Sequence, residues 1–269
     1  MRHRSSAFLA FLVIGLGALF LVPNVRAATI VFDASGSPNP QSCPSGCSSI
    51  SWTHTVGSGS SGILLVGVSY DDSRVPTVQF GGTTMTALGD HMGAGGQSAG
   101  LWSLAVSSGA SGTVTVTFTG GPTTQIIGGS VSYFNVASTG IVASNDGVET
   151  SAASVSVSTV AGDVVVDTLS VFNGGGTVGS GQTQRWNSGL LAGVAAGGGS
   201  DEAASGSSVT MSWTLTSIAP GNVWSLVAVP LIPPATPPIP EYPLGLPLLA
   251  ILTIISYGVI RRKTKNPKK

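Results

Sequence analysis

The feature that most constrains the fold is a series of short apolar runs separated by glycine, serine or asparagine. Valine, threonine and aromatic residues dominate these runs, a composition typical of β-strands. In residues 113–119 and 208–215, apolar and hydroxyl side chains alternate, which predicts strands with one buried and one solvated face. Between residues 28 and 232, no stretch of ten or more residues has the apolar spacing of a helix. The sequence therefore predicts an all-β fold.

Strands at this spacing favour two stacked antiparallel sheets, so we expect residues 28–231 to form a single β-sandwich of the jelly-roll or concanavalin-like kind. The glycine pairs 81–82 and 120–121 stand where hairpin turns are needed. Segments 101–106 and 223–229 are similar, as are 63–69 and 164–170, which suggests an internal duplication. The predicted strands are residues 29–32, 50–56, 63–70, 77–80, 83–88, 101–106, 113–119, 126–134, 154–159, 163–171, 182–186, 208–215 and 222–230.

The charges of the 269-residue chain are unevenly placed, although 11 basic residues balance 11 acidic ones. Between residues 28 and 240 the basic residues are Arg74 and Arg185, and no lysine occurs. The acidic residues lie almost entirely in this stretch, so its net charge is strongly negative. An acidic surface repels phosphate backbones, so we do not expect nucleic-acid binding. The same surface attracts cations, which makes Ca²⁺ a candidate ligand.

The N-terminal segment, residues 1–27, has the features of a secretory signal peptide. Arg2, His3 and Arg4 precede an uncharged apolar run, and small residues end the segment at Ala27. An uncleaved signal anchor is the alternative interpretation.

The C-terminal segment has the features of a membrane anchor. A proline-rich linker, residues 232–240, precedes residues 244–260, which carry no charge. A helix of this length, at about 1.5 Å per residue, nearly spans a hydrocarbon core of ~30 Å. Basic residues at 261–263 favour the cytoplasmic side, so the body is expected outside the cell. We therefore predict that residues 241–269 form an anchor with a basic tail.

The order of spacer, Pro240-Glu241-Tyr242-Pro243, apolar helix and basic end resembles the archaeal PEF-type C-terminal sorting signals. Those signals are recognised by transpeptidase-like membrane enzymes called archaeosortases, and they have phenylalanine where this chain has Tyr242. The resemblance implies that a sorting transpeptidase removes the helix and joins the body to a lipid or other carrier. Bacterial tails of the Pro-Glu-Pro type are a nearby alternative, and a plain transmembrane anchor is another.

The body resembles a class of secreted bacterial and archaeal β-domains that is poorly characterised. Segments 63–69, 78–82, 162–167 and 224–229 carry this resemblance. It implies surface display or adhesion and brings no catalytic motif.

Two groups of residues are candidates for structural bonds or metal binding. Cys43 and Cys47 are the two cysteines of an exported chain, so we expect them to form a disulfide. Asp71 and Asp72 follow a strongly apolar strand, and Asp90 lies in a glycine-rich segment; all three are candidate Ca²⁺ ligands. Solvated turns are the alternative interpretation of these acidic residues, and the Asp201-Glu202 pair has the same standing.

Aromatic residues are candidates for sugar binding, because their faces stack on pyranose rings. Trp186 stands beside Arg185 in a polar segment, so we expect these two residues to be exposed ligand contacts. Trp102, Trp213 and Trp224 lie in apolar strands and are expected in the core.

The sequence favours a protein without catalytic activity. It has no Gly-x-Ser-x-Gly segment between a strand and a helix, and the body contains two histidines, His54 and His91. We predict a non-enzymatic cell-surface protein with an adhesion or envelope-structure role, whose partner is a surface glycan or an envelope protein. A carbohydrate-binding module, with or without Ca²⁺, is the first alternative. A secreted glycoside hydrolase, which needs two carboxylates across a cleft, is the second.

Mass spectrometry of the native C-terminus tests the sorting prediction. We expect the mature chain to end near Glu241, because the resemblance places the processing site at this motif. An intact Lys269 would rule out sorting cleavage in the sample.

Overall fold

The computed structural model describes residues 28–36, 47–123, 125–172, 174–188, 196–216, 221–235, 252–257 and 261. The chain divides into a unit of residues 28–234 and a second unit of residues 1–27 and 235–269. In the second unit a short helix is described at residues 252–257. Among the described residues no helix has the length and apolar character needed to cross a membrane. The predicted signal peptide, the motif Pro240–Pro243 and most of residues 244–260 lie outside the described residues and stay predictions.

The described residues between 28 and 234 form antiparallel strands, which confirms the all-β prediction. The described strands of the first half are β1 (Val31–Gly36), β2 (Ser49–Thr55), β3 (Gly62–Asp71), β4 (Thr77–Phe80), β5 (Thr83–Thr84), β6 (Thr86–Met92), β7 (Gln97–Val106), β8 (Ser111–Thr117) and β9 (Ile126–Phe134). Those of the second half are β10 (Ser138–Thr139), β11 (Ala143–Val148), β12 (Ala152–Ser158), β13 (Val164–Phe172), β14 (Gly176–Val178), β15 (Thr183–Ser188), β16 (Ala196–Ala203), β17 (Ser208–Leu215) and β18 (Val223–Ile232).

The two halves pair their strands in the same order. In the first half, an inner sheet has the order β1-β9-β3-β7-β6 and an outer sheet the order β2-β8-β4-β5. In the second half, the inner sheet is β11-β18-β13-β16-β15, with β10 also paired to β18, and the outer sheet is β12-β17-β14. The prediction of a single sandwich is therefore wrong, because the described strands form four sheets arranged as two sandwiches of matching connectivity. No linker separates the halves in the sequence, since β9 ends at Phe134 and β10 begins at Ser138.

The sheets stack in the order outer, inner, inner, outer. One apolar core, with Leu64 and Trp102 at its centre, fills the first sandwich, and another, around Met211 and Trp213, fills the second. Two further apolar clusters lie between the inner sheets, one around Leu65 and the other around Leu101. Strand β9 is consequently buried along its whole length, and apolar or small residues occupy all of it.

The inner sheets are related by an approximate two-fold axis that runs along β3 and β13. The axis is evident because β1 contacts β15 at one edge of the stack and β6 contacts β11 at the other. Along the axis, residues at matching positions of β3 and β13 meet. A Cβ added to Gly67 would touch the Thr168 hydroxyl, and Ser69 Oγ donates to Ser170 Oγ at 2.8 Å.

The topology confirms one part of the predicted duplication and corrects the other. Segments 63–69 and 164–170 belong to β3 and β13, which are equivalent strands. Segments 101–106 and 223–229 belong to β7 and β18, which occupy different positions in their sheets. They look alike because both are inner strands with a tryptophan facing a sandwich core.

The two predicted glycine turns differ in outcome. Gly81 and Gly82 have φ angles of 56° and 81° and join β4 to β5, as a hairpin requires. Gly120 and Gly121 also have positive φ angles, but they follow β8, which lies in a different sheet from β9. This second turn carries the chain from the outer to the inner sheet and is not a hairpin.

Trp186 determines where glycine is needed in the inner sheets. Its ring lies in the seam between them, so close to Gly129 that an added Cβ there would stand 2.3 Å from ring carbons. Gly199 of β16 is restricted by the same ring, and Gly197 is restricted chiefly by Ser69 and Ile127. Strand β16 was not predicted, because three consecutive glycines are unfavourable in a strand unless a bulky neighbour occupies their space.

A Gly129→Ala substitution tests this packing. We expect the free energy of unfolding to fall by about 1–3 kcal/mol, because the new methyl group overlaps the Trp186 ring in a close-packed seam. Urea denaturation followed by tryptophan fluorescence measures the change. The matched control is Gly206→Ala, where an added Cβ has no atom within 4 Å and should leave stability nearly unchanged. Equal stability of the two variants would contradict the packing.

Candidate functional site

A pocket of about 270 Å³ opens at one edge of the seam between the inner sheets. It lies where β1 and β9 of the first half meet β15 and β16 of the second, and we call it the seam pocket. The residues that matter for its chemistry are Ile30, Phe32, Val164, Thr183, Arg185 and Glu202, which line it together with Tyr133 and Asp201. Apolar side chains from both halves therefore form part of the wall, and polar side chains of β15 and β16 form the rest.

Arg185 is held in the seam pocket by a ring and a carboxylate. Its guanidinium carbon lies 3.7 Å from the centroid of the Phe32 ring, and its Nε donates to Asp201 Oδ2 at 2.7 Å. The Tyr133 hydroxyl donates to the same oxygen at 2.6 Å. Arg185 also interacts with the Tyr133 hydroxyl, and no further hydrogen bond of its Nη groups is found within the described part of the chain. The guanidinium is thus fixed while Nη donors stay available.

A bulge in β15 explains why Arg185 and Trp186 both point toward the first half. The register between β15 and β16 shifts between Gln184 and Trp186, so Arg185 is the extra residue. A bulge sends neighbouring side chains to one face of a sheet instead of opposite faces. Arg185 therefore reaches Phe32 while Trp186 enters the seam.

Burial determines the protonation of two groups in the pocket. It raises the pKa of Tyr133 well above its ordinary value, and the nearby charge of Asp201 adds to the effect, so the phenol stays a hydrogen-bond donor. Burial also raises the pKa of Glu202. The Glu202 carboxyl has no hydrogen-bond or ion-pair partner among the described residues, so nothing offsets the loss of its hydration.

The seam pocket combines free donors, a free acceptor and an apolar wall. Arg185 and Thr183 supply the donors, and Glu202 supplies the acceptor. Pockets that bind small molecules share this design of apolar walls with a few placed polar groups. At about 270 Å³, this one suits a small polar molecule.

The predicted Ca²⁺ ligands do not converge. Asp72 forms an ion pair with Arg74, whose hydrogen bonds lower the pKa of that carboxyl. Asp90 accepts a hydrogen bond from the Tyr70 hydroxyl, and burial raises its pKa. Asp71 lies opposite Gln97 at the end of β3. Among the described residues, no group of three His, Cys, Asp or Glu side chains could hold a metal ion.

The structure corrects the predicted position of Trp186, places Arg185 in the seam pocket and leaves the disulfide untested. Trp186 was expected on the surface, but only 6% of it is exposed, because glycines of distant strands leave room for its ring in the seam. Its neighbour Arg185 does line the seam pocket. The Cys43–Cys47 disulfide stays a prediction, because Cys43 lies outside the described residues; Cys47 forms a β-bridge with Thr123.

Sequence reasoning missed Phe32 and Tyr133 as pocket residues. They lie in β1 and β9, far along the chain from Arg185, and no local pattern connects them. The Asp201-Glu202 pair was visible as adjacent acids after a run of glycines. The contact between Asp201 and Arg185 could not be predicted without knowing that β15 and β16 pair.

A second polar cluster lies inside the second sandwich, away from solvent. Asp167 accepts hydrogen bonds from Ser200 N at 2.7 Å, Ser200 Oγ at 2.8 Å and Trp213 Nε1 at 2.7 Å. The matching position of β3 is Val66. Burial raises the pKa of Asp167 to about 7, although the three donors act in the opposite direction. The cluster is closed to solvent and ties β13 and β16 to the outer sheet, so we assign it a structural role.

Comparisons with known proteins do not identify a family. No protein-family model and no curated protein matches the chain. The crystal structure of a conserved protein of unknown function from Pseudomonas aeruginosa PAO1 is similar at 14% sequence identity. The match covers 76% of this chain and 100% of that chain, with a TM-score of 0.23. A similarity of this size carries no information about fold or function.

The raised pKa of Asp167 predicts a pH-dependent stability. In the unfolded chain an aspartate titrates near pH 4, whereas in the folded chain Asp167 titrates at about 7. Its favourable contribution is therefore complete below pH 4 and is lost as the pH rises toward 7. Relative to Asp167→Asn, the wild-type free energy of unfolding should fall by a few kcal/mol between pH 4 and pH 7.

Urea denaturation of both proteins across this pH range measures the difference. His54, whose pKa is lowered by burial, contributes the opposite pH dependence, but it is present in both proteins and cancels. Asp72→Asn is the control, because the pKa of Asp72 is lowered and its removal should not reproduce the effect. Parallel stability profiles for wild type and Asp167→Asn would show that Asp167 keeps an ordinary pKa.

Proposed function

We propose that this protein is an exported, non-enzymatic protein of the cell surface with an adhesion or envelope-structure role. Its C-terminal tail directs sorting or anchoring at the membrane. The charge distribution supports the proposal, because basic residues concentrate at the two ends while the body is acidic and has no lysine. An envelope or surface location suits such a body, since its solubility depends on hydroxyl and backbone groups.

The observation that carries the proposal is the chemistry of the two outer sheets. Their solvent-facing sides consist largely of serine and threonine, in cross-strand rows at opposite ends of the stack. Hydrogen bonds link some rows, such as Thr55 to Ser111 at 2.9 Å and Ser156 to Thr210 at 3.0 Å. The paired positions are Ser49–Thr117, Ser51–Thr115, Thr53–Thr113 and Thr55–Ser111 in one sheet, and Ser154–Ser212, Ser156–Thr210 and Ser158–Ser208 in the other. Uncharged faces of this kind present hydroxyl groups to an envelope or a partner over a wide area.

A histidine network in the first sandwich supports the non-enzymatic part of the proposal. His54 Nδ1 lies 2.8 Å from Ser130 Oγ, and its Nε2 lies 3.0 Å from Ser132 Oγ. Ser132 Oγ in turn donates to Asp33 Oδ2 at 2.7 Å. A serine here separates the histidine from the acid, whereas in a catalytic triad the histidine lies between serine and acid. The histidine and both serines are buried, so substrate has no access to them.

The two alternative functions, glycoside hydrolase and carbohydrate-binding module, differ in how well the seam pocket supports them. Glycoside hydrolysis requires two carboxylates that act on one bond. In the seam pocket Asp201 is already held by Tyr133 and Arg185, which leaves Glu202 as the acidic group that can act. A sugar-binding role needs only hydrogen-bonding groups and an apolar wall, and the seam pocket offers both.

Antibody labelling of intact cells tests whether the protein lies on the cell surface, as the proposal requires. Antibodies against residues 28–234 are expected to label intact, unpermeabilised cells. A variant that ends at residue 239 keeps the leader but lacks the proposed anchor, so it should appear in the medium. Antibody against a cytoplasmic protein is the control for cell integrity. Labelling only after permeabilisation, for both forms of the protein, would overturn the proposal.

A further inference from the structure

The seam pocket has unused hydrogen-bonding capacity on two sides. Glu202 is partly removed from water and has no partner in the described part of the chain, and its raised pKa reflects that burial. An unpartnered carboxyl in such a position is stabilised when a ligand donates a hydrogen bond to it. The Nη groups of Arg185 offer the complementary donors.

Arg185 is prepared for binding before a ligand arrives. Phe32 covers its guanidinium at 3.7 Å, and the bond from Nε to Asp201 fixes the plane of the group. Asp201 is in turn held by the Tyr133 hydroxyl. Little side-chain freedom remains to be lost when the Nη groups bind a ligand, which favours affinity.

The charge of the pocket selects against anions. One guanidinium, which is paired with Asp201, and the two acids Asp201 and Glu202 line the pocket. A ligand carboxylate or phosphate that approached Arg185 would also approach Asp201, which is bonded to the same guanidinium. Neutral groups that both donate and accept hydrogen bonds fit better, and hydroxyl groups are of this kind.

We propose that the seam pocket binds one neutral sugar residue through adjacent hydroxyl groups. One hydroxyl accepts from Arg185 Nη, its neighbour donates to Glu202, and Thr183 supplies a further polar contact. The C–H face of the sugar packs on Ile30 and Val164, which come from different halves of the chain. The inference rests on the proposed function, because it names the ligand class of the adhesion role.

The test uses the full chain, purified in a detergent without a sugar head group so that the detergent does not compete. Saturation-transfer NMR is recorded with glucose, galactose, mannose and N-acetylglucosamine, each at millimolar concentration. Glycine and acetate serve as zwitterionic and anionic comparison ligands. We expect signal transfer to at least one sugar and none to the comparison ligands. Transfer to none of the sugars, or to glycine or acetate in their place, would overturn the inference.

Substitutions locate the binding site. Glu202→Gln should weaken sugar binding by about tenfold or more, the loss expected for one hydrogen bond to a charged group. Its melting temperature should match wild type, because Glu202 has no partner to lose, so weaker binding cannot be ascribed to misfolding. Arg185→Gln should weaken binding as well. The matched control is Arg74→Gln, which removes an arginine that also pairs with an aspartate but does not line the pocket.

Binding and location are separate outcomes. Sugar binding by wild type that is unchanged in Glu202→Gln would overturn the assignment to the seam pocket. Because binding is measured on purified protein, its failure would leave the surface location of the chain unaffected. Failure of cell labelling would likewise not alter a measured affinity.

Discussion

The close approach of the two inner sheets is the constraint on which the rest of the structure depends. Stacked sheets lie about 10 Å apart, so the side chains between them must fill the space and satisfy each other's polar groups. Near the axis, Ser69 donates to Ser170 and Ser170 donates to Gln97, so these hydroxyls have partners within the seam. The buried Thr168 hydroxyl beside them is an exception, because it has no hydrogen-bond partner among the described residues. Apolar clusters lie on both sides of these bonds. A carboxylate that is buried between the inner sheets needs partners, and Asp201 is held by both Tyr133 and Arg185.

The same packing explains where a ligand site can exist. Along the axis, residues at matching positions of β3 and β13 are in direct contact. At the edge where β1 meets β15, the bulge moves Arg185 toward Phe32, and the walls separate enough to leave the seam pocket. The opposite edge, related by the approximate two-fold axis, has a different composition: there His91 Nε2 lies 2.9 Å from Asp146 Oδ1. The two halves share their topology, but the side chains at their edges differ.

The sequence predicted what is local and missed what depends on distant strands. Alternation in β8 and β17 identified those strands correctly, because period-two burial is a property of a single strand. The number of sandwiches was not predictable in this way, since β9 passes directly toward β10 without a linker. Trp186 was misplaced for a related reason, because the glycines that make room for it lie in other strands. Of the residues that form the seam pocket, Arg185 was predicted as a ligand contact from its polar neighbours. Its partners Phe32 and Tyr133 come from the other half of the chain.

The position of β18 has a mechanical consequence. This strand leads directly into Pro233 and the proline-rich stretch of the sequence, so tension on the C-terminal side of the body is applied first to β18. Hydrogen bonds join β18 to β13 along one side, and to β10 and β11 along the other. A pull along the strand loads these bonds in shear, many at once, whereas an edge strand pulled sideways would lose them one by one. If the C-terminal tail anchors the chain as proposed, force reaches the body through a strand that is hydrogen-bonded to neighbours on both sides.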